Sequence, residues 1–342
     1  MTAPFTVDND LVEMMSAVFA SHREQNEPES GTAPWDAGLW SRLDELGLVR
    51  LTGREENGGS GASWFEAAEL IRASASNGVR IPLVEHDLLA GWLLEVTGSP
   101  VDAARRTVCV LDNEGMASGV PWAAQSDKVV LVWRNGDTYH VADVETSTLD
   151  IAPGTNVAGE PRDTVTADTT VLSGTPVADA VVDQLLLRGA LARGLQTCAA
   201  LARILDLSIT HTTERTQFGR PLAKFQAVQN LVADIAAEVA LARAATDAAL
   251  IEAVRTDWSG PNLEFLVAAA RSCAGHATSV VVRNAHQVHG AIGTTREHRL
   301  HEFTTPALAW RSEFGSVHYW DEKLTAAALE AGREGLWALV TA

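Results

Sequence analysis

The spacing of apolar residues predicts helices in the first third of the chain. One helix face is formed by Leu11, Met14, Met15, Val18 and Phe19, which recur at intervals of three and four residues. The same period returns around residue 40, after the turn at residues 57–61 and after residue 83, and the last of these helices is expected to end near Gly98. We therefore expect an N-terminal helical domain over residues 1–104.

The pattern changes to that of strands near residue 105. Residues 107–111 and 128–133 are apolar and rich in β-branched side chains, and residues 164–172 add further β-prone sequence. Asn135 and Gly136 stand between the second of these runs and residues 138–142. Because both residue types tolerate positive φ, this spacing predicts a β-hairpin. We expect a small middle β domain over residues 105–178.

A helical period resumes near residue 180 and continues to the end of the chain. A clean apolar stripe is formed by Val228, Leu231, Val232, Ile235 and Val239. Residues 259–262 interrupt the pattern before a further long helix over about 263–288. Alanine is abundant here and permits close helix packing, so we expect a C-terminal helical bundle over residues 179–342. The predicted fold class is α+β, mainly α.

Composition narrows the range of partners. With 26 Lys plus Arg against 44 Asp plus Glu, the formal charge is −18, which makes nucleic acid and anionic membrane surfaces poor partners. Cys109, Cys198 and Cys273 are far apart and odd in number, so we expect no disulfide framework and a cytoplasmic location. The N-terminus does not resemble a signal peptide, and no uninterrupted apolar run approaches the roughly 18 residues of a membrane span.

Two short motifs in the C-terminal region carry candidate binding chemistry. The first runs Arg215-Thr216-Gln217-Phe218-Gly219-Arg220-Pro221-Leu222, with Phe225 and Gln226 following in helical register. A guanidinium offers a planar fork of donors that matches phosphate oxygens. The second motif, residues 287–293, contains glycines that let backbone N–H groups approach a phosphate closely. Taken singly, each motif is also what an ordinary interhelical loop or a helix C-terminal turn gives.

Taken together, in this order of helices, strands and helices, the motifs resemble the acyl-CoA dehydrogenase family. The likeness is strong over residues 210–240, fair over 38–62 and 285–293, and weak over 105–178. It implies the fold of that family, namely a helical N-terminal domain, a small β domain and a C-terminal four-helix bundle. It also implies an oxidoreductase that desaturates an acyl-CoA thioester, with FAD as cofactor and an electron-transfer flavoprotein as acceptor.

The resemblance also implies roles for individual residues. Arg215, Gln217 and Phe218 match the segment that reaches across a subunit interface to the pyrophosphate and adenine half of FAD. Gln287 and Gly290 match the turn that contacts the same half, although Ala291 stands where the family has a second glycine.

The family's catalytic carboxylate is missing from its usual place. The matching position holds Phe314, in the sequence Phe314-Gly315-Ser316, and Glu313 lies one residue early. One residue along a helix or strand redirects a side chain by about 100° or 180°, so Glu313 is only a fallback candidate for the base. A minority of the family places the glutamate earlier, near the position of Gly189, which also lacks a carboxylate.

The middle β domain lacks a second family feature. Residues 113–121 stand where the family has the Thr-Glu and Ala-Gly-Ser-Asp segments that border the flavin ring. The retained motifs thus match contacts to the distal half of FAD, while the missing ones match the ring and the chemistry. This division resembles the α2β2 acyl-CoA dehydrogenases of actinobacterial steroid catabolism, as do residues 310–316 and Trp320.

We therefore expect one subunit of a heterotetrameric acyl-CoA dehydrogenase, whose second subunit supplies the ring contacts and the base. Two alternatives stay open at this point. One is a self-sufficient homo-oligomeric dehydrogenase that uses Glu313 as its base. The other is a binding or assembly protein on the same scaffold without a redox role.

Four histidines raise the question of a metal site. His286 and His289 are three residues apart, as are His298 and His301, and this spacing can place two imidazoles on one helix face. No cysteine lies nearby, and the neighbouring glutamates are not at a recognised ligand spacing. We expect no metal.

Overall fold

A computed structural model describes residues 7–26 and 32–341 of the chain. Helices come first, strands follow and helices return, which confirms the predicted fold class. The chain divides into two compact units, Met1–Gly189 and Ala190–Ala342. The three-domain division expected from the sequence stays a prediction.

Helices form the first part of the N-terminal unit. They are α1 (Asn9–Gln25), α2 (Ala37–Glu45), α3 (Trp64–Ser76), a π-helix (Val84–Gly91) and α4 (Trp92–Val96), which continues the π-helix. Asp8 caps α1, and Ser63 with Glu66 forms a capping box on α3, which satisfies backbone N–H groups that have no partner within the helix. The predicted apolar face of α1 is confirmed, since Met15 and Phe19 are buried in the core of this region.

Seven strands follow: β1 (Arg106–Val110), β2 (Met116–Pro121), β3 (Lys128–Asn135), β4 (Thr138–Glu145), β5 (Asp150–Ala152), β6 (Arg162–Thr166) and β7 (Thr175–Val177). One sheet has the order β1-β3-β4-β7 and the other the order β2-β6-β5. Strands β1 and β3 are parallel, and the remaining pairs are antiparallel. A buried apolar cluster that includes Leu131, Trp133 and Val165 is drawn from strands of both sheets.

The predicted hairpin is confirmed, with Asn135 opposite Thr138 and Gly136 at a φ of 63°. Of the β-prone residues 164–172, only the first three lie in a strand, since β6 ends at Thr166. The carboxylate of Asp168 accepts hydrogen bonds from the backbone N–H and hydroxyl of Thr170. This local Asx-type turn takes the backbone out of the sheet and overrides the β propensity of the threonines.

The helices of the C-terminal region begin with α5 (Asp179–Glu214), which runs across the division between the two units. The others are α6 (Gln226–Arg255), α7 (Leu263–His289), α8 (His301–Trp310) and α9 (Val317–Thr341). Helix α7 confirms the long helix expected over 263–288. Small residues bring these helices close together, because a Cβ added at Gly275 of α7 would lie 2.4 Å from a methyl carbon of Val317 in α9.

Helix α7 and the turn after it, Leu263–Thr294, are long and apolar enough to cross a membrane by length and composition. However, 56% of the most apolar window is buried inside the protein, as in the core helix of a bundle. Cys109, Cys198 and Cys273, which all lie within the described residues, form no disulfide bond, in line with the prediction from the sequence.

Candidate FAD-binding site

The first sequence motif forms a short hairpin directly after α5. Its strands are β8 (Thr216–Gln217) and β9 (Arg220–Pro221), and the two residues between them, Phe218 and Gly219, have φ values of 51° and 78°. Positive φ at both central residues is the conformation of a type I′ turn, which matches the twist of a tight hairpin. A phenylalanine pays a steric penalty there. Its ring is 90% exposed at the tip of the hairpin.

The two arginines beside this hairpin differ in their surroundings. The Arg220 guanidinium lies 4.2 Å from the ring centroid of Phe225, where it makes a cation–π contact. The side chains of Arg215 and Gln217 are exposed, and within the described residues Arg215 has no ion-pair partner. The backbone of Arg215 is fixed, because its N–H donates to the carbonyl of His211 and its carbonyl accepts from Leu222. Because the backbone of Arg215 is fixed while its guanidinium has no ion-pair partner among the described residues, this side chain is suited to bind an anion from outside the chain.

The second motif is the turn that ends α7. Gln287 is exposed, and Gly290 has a φ of 64° with no atom within 4 Å of a Cβ added there. Gly290 is therefore required by its backbone conformation, and it leaves open space for a ligand. A Cβ added at Gly293 would lie 2.7 Å from the Cβ of His289. Gly293 thus allows the turn to pack against its own helix end.

Histidines bring the two motifs together. The imidazole of His211, one helical turn before Arg215, stacks on that of His289 with 4.5 Å between centroids. The ring of His298 lies 4.6 Å from that of His289, with its edge toward it and an angle of 66° between the ring planes. We call His211, His289 and His298 the imidazole cluster. The sequence drew attention to His289 through its spacing from His286 and to His298 through its spacing from His301, whereas in the structure these two rings contact each other. His211 was not identified from the sequence, and its only local signal is its position one helical turn before Arg215.

Burial keeps the imidazole cluster neutral. It lowers the pKa of His289 to about 4, with contributions from His211 and His298. Burial also lowers the pKa of His211, helped by the fields of His298 and Arg215, and the pKa of His298. Each imidazole therefore has one nitrogen that donates a hydrogen bond and one that accepts.

The imidazole cluster meets the spacing of a metal site but has an unfavourable arrangement for one. One ring nitrogen from each histidine lies within 4.8 Å of the others. The rings of His211 and His289 are stacked, only 23° from parallel, so their in-plane lone pairs do not converge on one point. In addition, Nδ1 of His298 already accepts the N–H of Leu300, which leaves the proton of the neutral ring on Nε2. This geometry favours the prediction that no metal binds here.

The fallback base is engaged in an ion pair. Oε2 of Glu313 lies 2.6 Å from Nε of Arg193, a buried residue of α5. An opposite charge at this distance favours the ionised carboxylate and opposes its use as a proton acceptor. Phe314, which the sequence predicts to stand at the position of the family's base, has a φ of 55°, and its ring centroid lies 5.6 Å from the Arg193 guanidinium.

A second buried arginine fixes the same segment. Nη2 of Arg271 in α7 donates to the carbonyls of Trp310, Arg311 and Glu313, which terminate α8 and lead into the next turn. Burial lowers the pKa of Arg271 to about 10. The backbone of the segment after α8 is thus fixed by hydrogen bonds from Arg271. The side chain of Glu313 in the same segment is the counter-ion of Arg193.

The structure also describes the two other positions at which the sequence predicts that the family's catalytic or flavin-ring groups are missing. Gly189 lies within α5, and its neighbour Arg188 stacks 4.0 Å over the ring of Trp92. Residues 116–121 form β2, an edge strand with a bulge between Ala117 and Val120.

Comparison with known proteins agrees with these features. Residues 8–105 match the acyl-CoA dehydrogenase N-terminal domain, and residues 180–317 match the acyl-CoA dehydrogenase C-terminal domain. The chain belongs to the acyl-CoA dehydrogenase family. It is therefore an oxidoreductase of the acyl-CoA dehydrogenase type, with FAD as cofactor.

Individual relatives cover nearly the whole chain. Acyl-CoA dehydrogenase IpdE2 of Mycolicibacterium smegmatis is 29% identical over 301 residues, which is 84% of this chain and 88% of the relative. The ChsE4-ChsE5 complex of Mycobacterium tuberculosis includes a chain of the same fold, with a TM-score of 0.82 and 19% identity over 96% of this chain and 100% of that one. The Tcur3481-Tcur3483 steroid ACAD gives a TM-score of 0.80 and 19% identity, covering 94% of this chain and 97% of that one.

The residues present fit one half of FAD. The exposed Arg215, Gln217 and Phe218, the open turn at Gly290 and the buried Nε2 of His289, which has no hydrogen-bond partner among the described residues, form a set of groups suited to a phosphate, a sugar and an adenine. When bound, FAD would supply the acceptor for a hydride. The residues of this chain that would hold the dinucleotide end are Arg215, Gln217, Phe218 and the turn at Gly290.

Proposed function

We propose that this chain is the cofactor-supporting subunit of a heteromeric acyl-CoA dehydrogenase. In this assembly Arg215, Gln217 and Phe218 contact the pyrophosphate and adenine half of an FAD held mainly by a second subunit, and Gln287 and Gly290 contact the same half. The second subunit contributes the flavin-ring contacts and the base that removes the α-proton of the thioester.

The observation that carries the proposal is the exposure of Phe218. A phenylalanine at positive φ, with 90% of its surface exposed, costs conformational energy and gains little burial in its own chain beyond an edge contact with Phe225. A bound adenine and a facing subunit would provide that burial. The neighbouring Arg215 guanidinium, which has no ion-pair partner within the described residues, would then meet the phosphates.

The state of Glu313 supports the assignment of the base to the partner. Proton abstraction requires a carboxylate that is near the substrate and able to accept a proton. The Glu313 carboxylate instead neutralises the buried Arg193 at 2.6 Å. The geometry therefore disfavours the alternative in which this chain acts alone with Glu313 as its base.

For the substrate, we propose the CoA thioester of a steroid-derived acid, with an electron-transfer flavoprotein as acceptor. The support is the fold shared with the Tcur3481-Tcur3483 steroid ACAD and with a chain of the ChsE4-ChsE5 complex, together with the likeness of residues 310–316 to that group. These proteins also motivate a partner that is itself an acyl-CoA dehydrogenase subunit.

The test is flavin content on purification alone and with candidate partner subunits. We expect little absorbance near 450 nm for the chain alone, and full flavin with turnover of a steroid acyl-CoA after co-expression with the correct partner. Arg215→Ala should lower flavin retention in the complex by about tenfold or more, because it removes charge-assisted hydrogen bonds. Arg220→Ala is the matched control, since that guanidinium is engaged with Phe225.

The outcomes separate the three functions. A chain that is yellow and active alone, and inactive as Glu313→Gln with flavin still bound, would establish the self-sufficient dehydrogenase. Absence of flavin with every partner would establish a non-redox binding or assembly role. Full flavin occupancy in the Arg215→Ala complex would remove the phosphate contact from the proposal.

A further inference from the structure

The imidazole cluster contains a hydrogen-bond acceptor and a hydrogen-bond donor of fixed identity. Nδ1 of His289 lies 2.7 Å from the carbonyl of Ala285, so it carries the ring proton and leaves a lone pair on Nε2. Nδ1 of His298 accepts the N–H of Leu300 at 3.1 Å, so the proton of that neutral ring is on Nε2. The backbone therefore selects opposite tautomers for the two rings.

The acceptor is left without a partner. His289 is buried, and its Nε2 has no hydrogen-bond partner among the described residues. A buried polar atom in this state is costly unless a ligand or an ordered water satisfies it. His211 stacks over the same ring and restricts access to it from one side.

This donor and acceptor together select one kind of ligand group. A hydroxyl can donate to Nε2 of His289 and accept from Nε2–H of His298 at the same time. A phosphate oxygen has no proton to offer, so it would face the lone pair of His289 and be repelled. A cation would meet the proton on His298 Nε2. The phosphate-binding group of this region is instead Arg215, one turn beyond His211.

On this basis we propose that His289 and His298 bind a hydroxyl of the adenosine ribose of FAD. The inference rests on the proposed function, in which Arg215 and the Gly290 turn contact the pyrophosphate and adenine. The ribose lies between these two groups in the dinucleotide, and the imidazole cluster joins the two motifs that contact them. His289 and His298 are thus positioning residues for the cofactor.

Asparagine variants test the contact without disturbing the backbone bonds. In His289→Asn the side-chain amide can still donate to the Ala285 carbonyl, and in His298→Asn the amide oxygen can still accept from Leu300, but neither reaches the position of Nε2. We expect each variant, in the assembled complex, to bind FAD about fivefold more weakly in a flavin fluorescence titration. His298→Gln, which places an N–H near the position of Nε2, should recover most of that loss.

The ligand provides the second arm of the experiment. FAD analogues that lack the 2′- or the 3′-hydroxyl of the adenosine ribose are titrated against the wild-type complex and both asparagine variants. We expect one analogue to bind about fivefold more weakly to the wild type and to lose little further affinity in the variants, because the same hydrogen bond has been removed twice. Thermal unfolding of each complex without ligand confirms that the variants are folded.

The possible outcomes distinguish a failure of the hydroxyl contact from a failure of the proposed function. Additive losses from the analogue and the variant, or FAD affinity unchanged in both asparagine variants while Arg215→Ala remains impaired, would overturn the hydroxyl contact and leave the proposed function standing. FAD affinity that strengthens as the pH falls through 6 would point to phosphate binding by protonated imidazoles and would also overturn it. A complex that binds no FAD overturns both the inference and the proposed function.

Discussion

Arg193 and Glu313 form an ion pair of 2.6 Å between α5 and the segment that follows α8. The arginine is buried, and the Phe314 ring and the Arg271 side chain lie beside the same segment. The sequence places the position of the family's catalytic carboxylate one residue later, at Phe314. In the proposed function Glu313 is therefore a structural counter-ion of Arg193 and the base comes from elsewhere.

The first prediction concerns Glu313→Gln. In the assembled enzyme we expect kcat to change by less than about threefold, because in the proposed function the base comes from the partner subunit. The variant should unfold more easily, by about 1–4 kcal/mol, since a buried arginine loses its counter-ion. Steady-state turnover assays measure kcat, and urea unfolding measures the free energy of unfolding.

The control for this prediction is Glu322→Gln. Glu322 forms an exposed pair with His318, so its replacement should change neither kcat nor, by more than about 0.5 kcal/mol, stability. A drop in kcat of about a thousandfold in Glu313→Gln, with flavin content and fold intact, would identify Glu313 as the base.

The second prediction concerns the backbone after Phe314. Gly315 has a φ of 110°, and a Cβ added there would lie 2.7 Å from both Tyr319 Cδ1 and Trp320 Nε1. Gly315→Ala should therefore lower the free energy of unfolding by about 2 kcal/mol or more. Gly335→Ala is the matched control: its added Cβ meets only Ala331 at 3.5 Å, and alanine within α9 should be neutral or slightly stabilising. Equal stability of the two variants would contradict the strained geometry.

The sequence predicted the helices, the hairpin of the β domain and the fold class, because these depend on local periodicity and on turn chemistry. The hairpin at Asn135 and the helix over 263–288 follow from residue spacing alone. The β-prone run over 164–172 leaves the sheet after Thr166, because the Asp168 carboxylate accepts the N–H of Thr170 and this local turn competes with the β-ladder. Such local competition depends on a single polar residue within a β-prone run and is hard to weigh from the sequence.

The candidate site was predictable in part. Arg215, Gln217 and Phe218 could be named because they belong to one contiguous motif, and the structure places all three on exposed surface. His211 and His298 could not be joined to His289, since their contacts depend on how α5 and the turn after α7 pack against each other. Likewise, the pairing of Glu313 with Arg193 spans 120 residues, and no local pattern reports a contact at that separation.

The third prediction tests the packing of α7 on α9. A Cβ at Gly275 would lie 2.4 Å from Cγ2 of Val317, so Gly275→Ala should lower the free energy of unfolding by about 1–3 kcal/mol. Adding Val317→Ala makes room for the new methyl group, and the double variant should recover part of the loss, which a double-mutant cycle in urea unfolding would reveal. Strict additivity of the two substitutions would show that these side chains do not meet.

The fourth prediction concerns the pH dependence of stability at Asp87, in the π-helix. Its Oδ2 accepts hydrogen bonds from the N–H and hydroxyl of Thr52, whereas Oδ1 is buried without a partner among the described residues. Burial raises the pKa of Asp87 from 3.8 to about 6. Because the folded pKa is the higher one, the protonated carboxyl contributes stability that is fully present below about pH 3.8 and is lost as the pH rises through 6.

Asp87→Asn removes this titration and keeps an oxygen to accept from Thr52. The difference in free energy of unfolding between the variant and the wild type should therefore shift in favour of the variant by about 2 kcal/mol between pH 4 and pH 8. Taking the difference cancels the titration of other groups, including His86, whose pKa burial lowers to about 3. Parallel curves across that range would mean that burial does not raise the pKa of Asp87 in the folded protein.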